Sequence, residues 1–285
     1  MIPIVTVAIP IYNAAPFLAA AIQSCINQTF YNWELLLMED GSTDDSLQIA
    51  QRFAEADNRI KVISDGENKG LVYRLNQSVS MARGKYYARM DADDIMTVNR
   101  LEKQITFLDS HVTVDVVGSS IMLIDAQNQI VGSGYAKGKV KSFFHPTILG
   151  HTSWFRKHPY ASWATRAEDF ELWTRTSDSS EFYTLESPLL FYREFGVPSF
   201  HKTCQTLSTL LVIFRKYKHY HKPFIWFIKH SLVTCAKIFT YSIFYVMGHL
   251  DFIIKRRKRV KVPVHLCLTP SDLAHSIEDH IMQER

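Results

Sequence analysis

The chain contains only four cysteines among its 285 residues, and no two of them lie close together. A disulfide framework and a zinc site both need paired or clustered cysteines, so the sequence excludes both. We expect reduced and mostly buried thiols, as in a cytoplasmic protein. The cysteines are Cys25, Cys204, Cys235 and Cys267.

Glycine and long apolar runs are also scarce. Only 11 glycines occur, and they form no glycine-rich loop of the kind that cradles phosphates. The uncharged part of the most apolar region, residues 238–250, is about 13 residues long, whereas a spanning helix needs roughly 20. The N-terminus has no basic flank, so we expect no signal peptide.

The composition is that of a globular protein with a full core. Hydrophobic residues make up 47% of the chain and charged residues 21%, which predicts one large domain plus an appendage. The charge is uneven, because residues 214–262 hold 12 Lys and Arg against one acid, Asp251. This asymmetry indicates an anionic partner for the C-terminal part.

Strand and helix patterns alternate along the first half of the chain. Apolar runs predict strands, and helical stripes with apolar residues on one face separate them. This alternation predicts an α/β fold with a doubly wound, mainly parallel sheet. The predicted strands are residues 4–9, 34–38, 60–64, 85–90, 114–125 with a break at Gly118, and 189–193. A pairing of Ser42 with Asp45 also predicts a helix cap there.

Two acidic clusters each follow a predicted strand directly. Asp40 follows the second strand, and Asp91, Asp93 and Asp94 follow the fourth. In open α/β sheets, ligands bind at the carboxyl ends of the strands. Carboxylates two residues apart suit Mg²⁺ or Mn²⁺, and Asp40 can accept from a base or a ribose hydroxyl. The alternatives are an acidic loop or helix cap at residues 91–94 and an ordinary turn at Asp40.

A third acidic pair, Glu168 and Asp169, opens a predicted helix. Neighbouring helical residues point about 100° apart, so at most one of the two faces a cleft. Such a carboxylate can act as general base for a hydroxyl nucleophile. Helix capping at the N-terminus is the alternative interpretation.

The C-terminal region joins an apolar helix to a basic end. Residues 224–254 are rich in Phe, Tyr and Ile, and residues 255–259 are all Lys or Arg. A wide apolar face with a cationic end is typical of a helix that lies in an anionic membrane surface. Packing on the catalytic domain or on a second copy is the alternative, and nucleic acid is disfavoured as a partner. A short polar tail follows, with a helix near Ser271.

Five motifs in a fixed order carry a resemblance to a known family. Between about residues 4 and 195, their order and spacing resemble the family 2 inverting glycosyltransferases of the GT-A fold. The motifs are residues 7–13 (Val-Ala-Ile-Pro-Ile-Tyr-Asn), 39–44 (Glu-Asp-Gly-Ser-Thr-Asp), 68–70 (Asn-Lys-Gly), 91–94 (Asp-Ala-Asp-Asp) and 167–169 (Ala-Glu-Asp).

The resemblance implies a role for each matching residue. Pro10, Tyr12 and Asp40 would hold the nucleoside of the donor. Asp91 and Asp93 would hold a metal–diphosphate. Asp169 would deprotonate the acceptor hydroxyl, and Glu168 would support the acceptor. Relatives often carry a histidine where Phe195 stands, so His201 is a substitute candidate for the third metal ligand.

These expectations combine into one functional hypothesis. Residues 1–205 would form the glycosyltransferase domain, and residues 206–285 a basic, membrane-interface region. The donor would be a nucleotide sugar, namely a UDP-sugar, used with Mn²⁺ or Mg²⁺. The acceptor would be a lipid-linked saccharide at the cytoplasmic side of a bacterial inner membrane, in polysaccharide or O-antigen synthesis. The alternatives are a nucleotidyltransferase and an inactive anchoring subunit of a synthase complex.

Overall fold

A computed structural model describes residues 2–194, 200–217, 224–246 and 261–278. The chain divides into two compact units. The first unit comprises Met1–Pro159, Ser180–Glu194 and Val260–Arg285, and the second comprises Tyr160–Ser179 and Phe195–Arg259. The chain therefore passes between the units four times, while a functional boundary near residue 205 stays a prediction.

The first unit is built on one large sheet flanked by helices. Its strands are β1 (Val5–Ile11), β2 (Trp33–Glu39), β3 (Ile60–Ile63), β4 (Tyr86–Arg89), β5 (Ile95–Met96), β6 (Val116–Ile124), β7 (Ile130–Gly134), β8 (Gly138–Lys139), β9 (Leu149–His151) and β10 (Phe182–Arg193). Its helices are α1 (Ala15–Ile26), α2 (Ser46–Ala56), α3 (Leu71–Met81), α4 (Arg100–Ser110) and α5 (Thr152–Lys157), with short 3-10 turns at His145–Thr147 and Val264–Leu266.

The strand order is β3-β2-β1-β4-β9-β6-β10-β5, with β7 on β6 and β8 on β10. Strands β1 to β4 run parallel to one another, and so do β6 and β10. Strand β9 joins these two groups in the antiparallel sense. The α/β class with a mostly parallel sheet is therefore confirmed.

The inner strands are apolar on both faces because helices cover both sides. Every residue of β2 and of β6 is buried. In β1, Ile9 pairs in register with Leu37 of β2, and Ala8 pairs with Arg89 of β4. The carboxyl ends of these three strands consequently lie side by side, and that edge carries the acidic clusters.

Two local expectations from the sequence were wrong. Strand β6 runs through Gly118 without a break, since the missing side chain makes room for the ring of Phe143; a Cβ there would lie 2.5 Å from its Cδ1. The predicted cap at Ser42 is also absent, because α2 begins at Ser46. The Ser42 hydroxyl instead accepts a hydrogen bond from the backbone of Asn13 at 3.1 Å.

The sequence did not predict strands β7, β8 and β9, because they are short. Strands β7, β8 and β9 have only 5, 2 and 3 residues, too few to show a hydrophobic period. The last strand, β10, begins at Phe182 and not at Leu189, with register shifts near Pro188.

The thiols were expected to be mostly buried, but Cys235 and Cys267 are exposed.

The second unit is helical. It contains α6 (Glu168–Thr176), α7 (Phe200–Lys216) and α8 (Phe224–Val246). Among the described residues, no helix combines the length and apolarity needed to cross a membrane. The rest of the predicted apolar segment and the basic run at residues 255–259 lie outside the described residues.

The polar tail expected after residue 260 is instead part of the first unit. Helix α9 (Pro270–Ile277) begins with a capping box between Thr269 and Asp272, close to the helix start predicted at Ser271. Leu273 of α9 packs into a cluster with Ile95 of β5 and Phe191 of β10. The side chain of Asn27 also donates to the backbone carbonyls of Ser276 and Glu278 at 3.2 and 2.8 Å. Residues 261–278 thus close the core of the sheet domain.

Candidate active site

The acid turn, residues 91–94, connects β4 to β5 at the carboxyl edge of the sheet. Ligand oxygens of Asp91, Asp93 and Asp94 all lie within 4.8 Å of one another. Asp94 is buried, and the other two are partly exposed. Three carboxylates this close repel one another, so the turn needs positive charge nearby.

Arg89 supplies part of that charge from the last position of β4. Its Nη1 donates to Asp91 Oδ2 at 3.0 Å, and its Nη2 donates to Asp91 Oδ1. Arg89 itself is only 3% exposed. A two-pronged contact of this kind fixes the position and orientation of the carboxylate.

The other two carboxylates, those of Asp93 and Asp94, have raised pKa values. Burial, followed by the charge of Asp91, raises the pKa of Asp93 to about 6. Burial also raises the pKa of Asp94 well above its usual range, with Asp91 and Asp93 adding to the effect. Burial and mutual repulsion therefore make two of the three carboxylates in the acid turn hard to ionise.

The residues of the acid turn fit a divalent cation. Asp94 Oδ1 accepts from the backbone N–H of Arg193 at 2.8 Å, while Oδ2 is buried and has no hydrogen-bond partner among the described residues. A buried polar atom left in this way marks a missing partner. Hard oxygen ligands are those that Mg²⁺ and Mn²⁺ prefer, and an ion would remove the repulsion within the turn.

Asp40 lies at the end of β2 in a network of its own. It accepts from the backbone N–H groups of Lys69 at 2.8 Å and Gly70 at 3.0 Å, and from Arg74 Nε at 2.8 Å. Arg74 is fully buried and also binds Asp65. Asp40 therefore organises the loop before α3, and its contact with a nucleoside stays a prediction.

The loop after β1 lies between the two acidic edges, because β1 pairs with both β2 and β4. Pro10 is the next-to-last residue of β1, and Tyr12, just after the strand, is 53% exposed. Asn13 adopts a positive φ of 51°, and its Oδ1 accepts from the backbone of Thr43 at 2.8 Å. The loop is thus tied to the end of β2 and leaves the Tyr12 ring available.

The third acidic pair lies in the second unit, at the start of α6. Glu168 is buried, and Asp169 Oδ1 accepts from the backbone of Phe170 at 2.6 Å. Glu171 of this helix accepts from Arg175 Nε at 2.9 Å and from the hydroxyl of Tyr217, the residue that follows α7. His201 lies on α7 and is exposed. The roles of Glu168, Asp169 and His201 stay predictions.

Sequence reasoning identified the acids but missed the basic residues that hold them. Arg89, Arg74 and Arg193 are all buried and all bind an acidic residue of the two clusters. Arg89 carried a signal, since it stands two residues before Asp91 in a strand. His145 is a further buried titratable residue, and burial lowers its pKa, with a smaller effect from Arg89.

The fold is shared with solved glycosyltransferases. Residues 1–349 of TarS from S. aureus, solved in complex with UDP-GlcNAc, match with a TM-score of 0.64 and 17% identity over 83% of this chain and 73% of that one. The mannosyltransferase PcManGT from Pyrobaculum calidifontis, in complex with GDP-Man and Mn²⁺, matches with a TM-score of 0.59 and 16% identity over 96% and 86% of the two chains. Together with the sheet and its acid turn, these matches define a GT-A glycosyltransferase fold.

Sequence comparison identifies the family. Residues 6–169 match the model of glycosyl transferase family 2. The chain is also 37% identical over 204 residues to the EpsE protein of Bacillus subtilis (strain 168), which is named as a glycosyltransferase; the match covers 67% of this chain and 73% of EpsE. The chain belongs to glycosyl transferase family 2, which favours glycosyl transfer over nucleotidyl transfer.

The raised pKa of Asp93 predicts a stability change with a definite sign. Because folding raises this pKa to about 6, the charged carboxylate destabilises the folded state above pH 6. The destabilisation fades as the pH falls toward the ordinary pKa of an aspartate. We expect Asp93→Asn to stabilise the metal-free protein by about 1–2 kcal/mol near pH 8, with little gain near pH 4.5. Thermal unfolding in EDTA measures this; a lower melting temperature for the variant near pH 8 would contradict it.

Proposed function

We propose that the protein transfers a sugar from a nucleoside diphosphate sugar, specifically a UDP-sugar, to an acceptor hydroxyl with inversion at the anomeric carbon. The observation that carries the proposal is the acid turn at the carboxyl edge of a family 2 sheet. UDP as the nucleotide is supported by the complexes of TarS with UDP-GlcNAc and with UDP.

The first unit would bind the donor. Asp40 and the loop from Pro10 to Tyr12 would contact the nucleoside, since both stand at the ends of adjacent strands. Asp91 and Asp93 would hold Mn²⁺ or Mg²⁺, with His201 as a candidate additional ligand. A bound ion of this kind would supply positive charge beside the departing diphosphate. Arg89 would keep Asp91 oriented.

Asp169 would serve as the general base for the acceptor hydroxyl. It stands in the first turn of α6, where the helix N-terminus carries partial positive charge. Glu168 would support the acceptor. The contacts of Glu171 with Arg175 and Tyr217 give the α6 backbone a fixed place within the second unit.

A donor assay tests the proposal for the first unit. We expect the full chain with a saccharide acceptor to release UDP from at least one UDP-sugar in the presence of Mn²⁺ or Mg²⁺, and to stop in excess EDTA. Asp93→Asn should abolish release. Asp109→Asn is the matched control, because Asp109 pairs with Lys85 at the exposed surface and should leave release unchanged. Turnover that persists in excess EDTA would show that no metal is needed.

The base assignment has its own test. Asp169→Asn keeps the shape of the side chain and removes its ability to take a proton, so we expect turnover to fall by at least about 10²-fold. Donor binding should be nearly unchanged, and Glu168→Gln should have a milder effect. Asp178→Asn, an exposed position after α6, is the control. Near-normal turnover of Asp169→Asn would assign the base to another residue.

The second unit supports a proposal about location. On α8, an apolar row at helical spacing is exposed to solvent: Ile228 (40%), Leu232 (64%), Phe239 (69%) and Ile243 (40%). Lys229 and Lys237 are exposed on the same helix. An apolar row beside cations fits the interface of an anionic membrane. We therefore place the enzyme peripherally on the cytoplasmic side of a bacterial inner membrane, acting on a lipid-linked saccharide in cell-surface polysaccharide or O-antigen synthesis.

Liposome binding tests this location. Deleting everything after residue 221 would also remove α9 from the sheet domain, so point substitutions in the full chain are the sharper tool. We expect the chain to sediment with anionic vesicles, and Leu232→Ser with Phe239→Ser to weaken sedimentation.

The control for that test is Val112→Ser, which alters an exposed apolar residue of the first unit. Replacing the five basic residues 255–259 by Gln should remove the preference for anionic over neutral vesicles, since each contributes about 1 kcal/mol near such a surface. Equal binding to both vesicle types by the unaltered chain would contradict the electrostatic part, and no binding would contradict the location.

A further inference from the structure

Arg193 is the last residue of β10 and, like Arg89, contacts the acid turn. Its backbone N–H donates to Asp94 Oδ1 at 2.8 Å, and its Nε donates to the backbone carbonyl of Asp93 at 2.8 Å. One residue thereby fixes two consecutive positions of the acid turn. Arg193 is only 3% exposed.

The far end of the same guanidinium binds a second loop, the turn between β6 and β7. Its Nη1 donates to the carbonyl of Asp125, and its Nη2 donates to Asn128 Oδ1 at 2.7 Å. That turn is rigid in its own right, because Asp125 Oδ1 accepts from two backbone N–H groups, at 2.9 and 2.8 Å. Arg193 therefore braces the acid turn against a fixed support.

The flat face of the guanidinium is occupied as well. The ring of Phe17, on α1, lies 4.5 Å from the Arg193 guanidinium carbon. The guanidinium is thus held by the Phe17 ring, the β6–β7 turn and the acid turn together. An arginine near a diphosphate site would ordinarily be assigned to phosphate binding. Here each guanidinium nitrogen already donates to the protein.

From this geometry we infer that Arg193 is a positioning residue, which holds Asp93 and Asp94 in the arrangement that binds a divalent cation. The inference rests on the proposed metal site and goes beyond it. Outer-sphere contacts of this kind orient ligands and commonly change metal affinity by 10- to 100-fold. A lysine cannot replace the arginine, because a single ammonium cannot reach the carbonyl of Asp93 and the side chain of Asn128 at once.

The test measures binding of Mn²⁺ alone to the full chain by electron paramagnetic resonance of free Mn²⁺. We expect Arg193→Lys to weaken Mn²⁺ binding by about 10-fold. Asn128→Gly removes one brace and suits the positive φ of 61° at that position, so it should fold normally and weaken binding less. Excess Mn²⁺ should restore UDP release by Arg193→Lys, because the ligands themselves are intact.

Arg59→Lys is the matched control. Arg59 is also braced on both sides, by Asp57 at 3.0 Å and by the ring of Trp33 at 3.7 Å, but it precedes β3 at the opposite edge of the sheet. It should change the melting temperature without changing Mn²⁺ affinity.

Each result has a distinct meaning. Unchanged Mn²⁺ affinity in both Arg193→Lys and Asn128→Gly would overturn the positioning role while leaving the metal site standing. An equal loss of affinity in Arg59→Lys would reduce the effect to general destabilisation and overturn it too. No Mn²⁺ binding by the unaltered chain would overturn the metal site, and the positioning role with it.

Discussion

Repulsion among the carboxylates of the acid turn is the constraint on which the rest of the site depends. Asp91, Asp93 and Asp94 place their oxygens within 4.8 Å of one another at a partly buried sheet edge. Such a cluster survives folding only if fixed cations and hydrogen bonds hold it. Arg89 and Arg193 provide these from the two strands that end on either side of the turn.

This compensation is incomplete, and the incompleteness is informative. Asp93 and Asp94 both have raised pKa values, and Asp94 Oδ2 has no hydrogen-bond partner in the described part of the chain. If the acid turn had only a structural role, one more basic side chain beside it would make the protein more stable. A site that binds a metal ion is instead expected to carry some strain when empty, since the ion supplies the missing positive charge.

The path of the chain links the sheet to the helical unit. Residues 160–179 and 195–259 form the second unit, and the chain afterwards returns so that α9 packs beside β5 and β10. The apolar contact of Leu273 with Ile95 and Phe191 lies just behind the acid turn and the end of β10. Residues 261–278 are therefore a component of the sheet domain, although their sequence reads as a polar tail.

The sequence by itself determined the fold class, the approximate positions of the main strands along the chain and the acids of the site. It did so because buried parallel strands are continuous apolar runs and because Asp40 and the acid turn follow such runs directly. It also located helices α6 and α8 by their periodicity. Only the tertiary structure decided that Arg74 and Arg193 hold the acids, since their partners lie far away in sequence and are brought close by folding. The tertiary structure also determined where the short strands β7 to β9 form and where α9 packs. Segments of a few residues take their conformation from the neighbours they pair with and not from a hydrophobic period of their own.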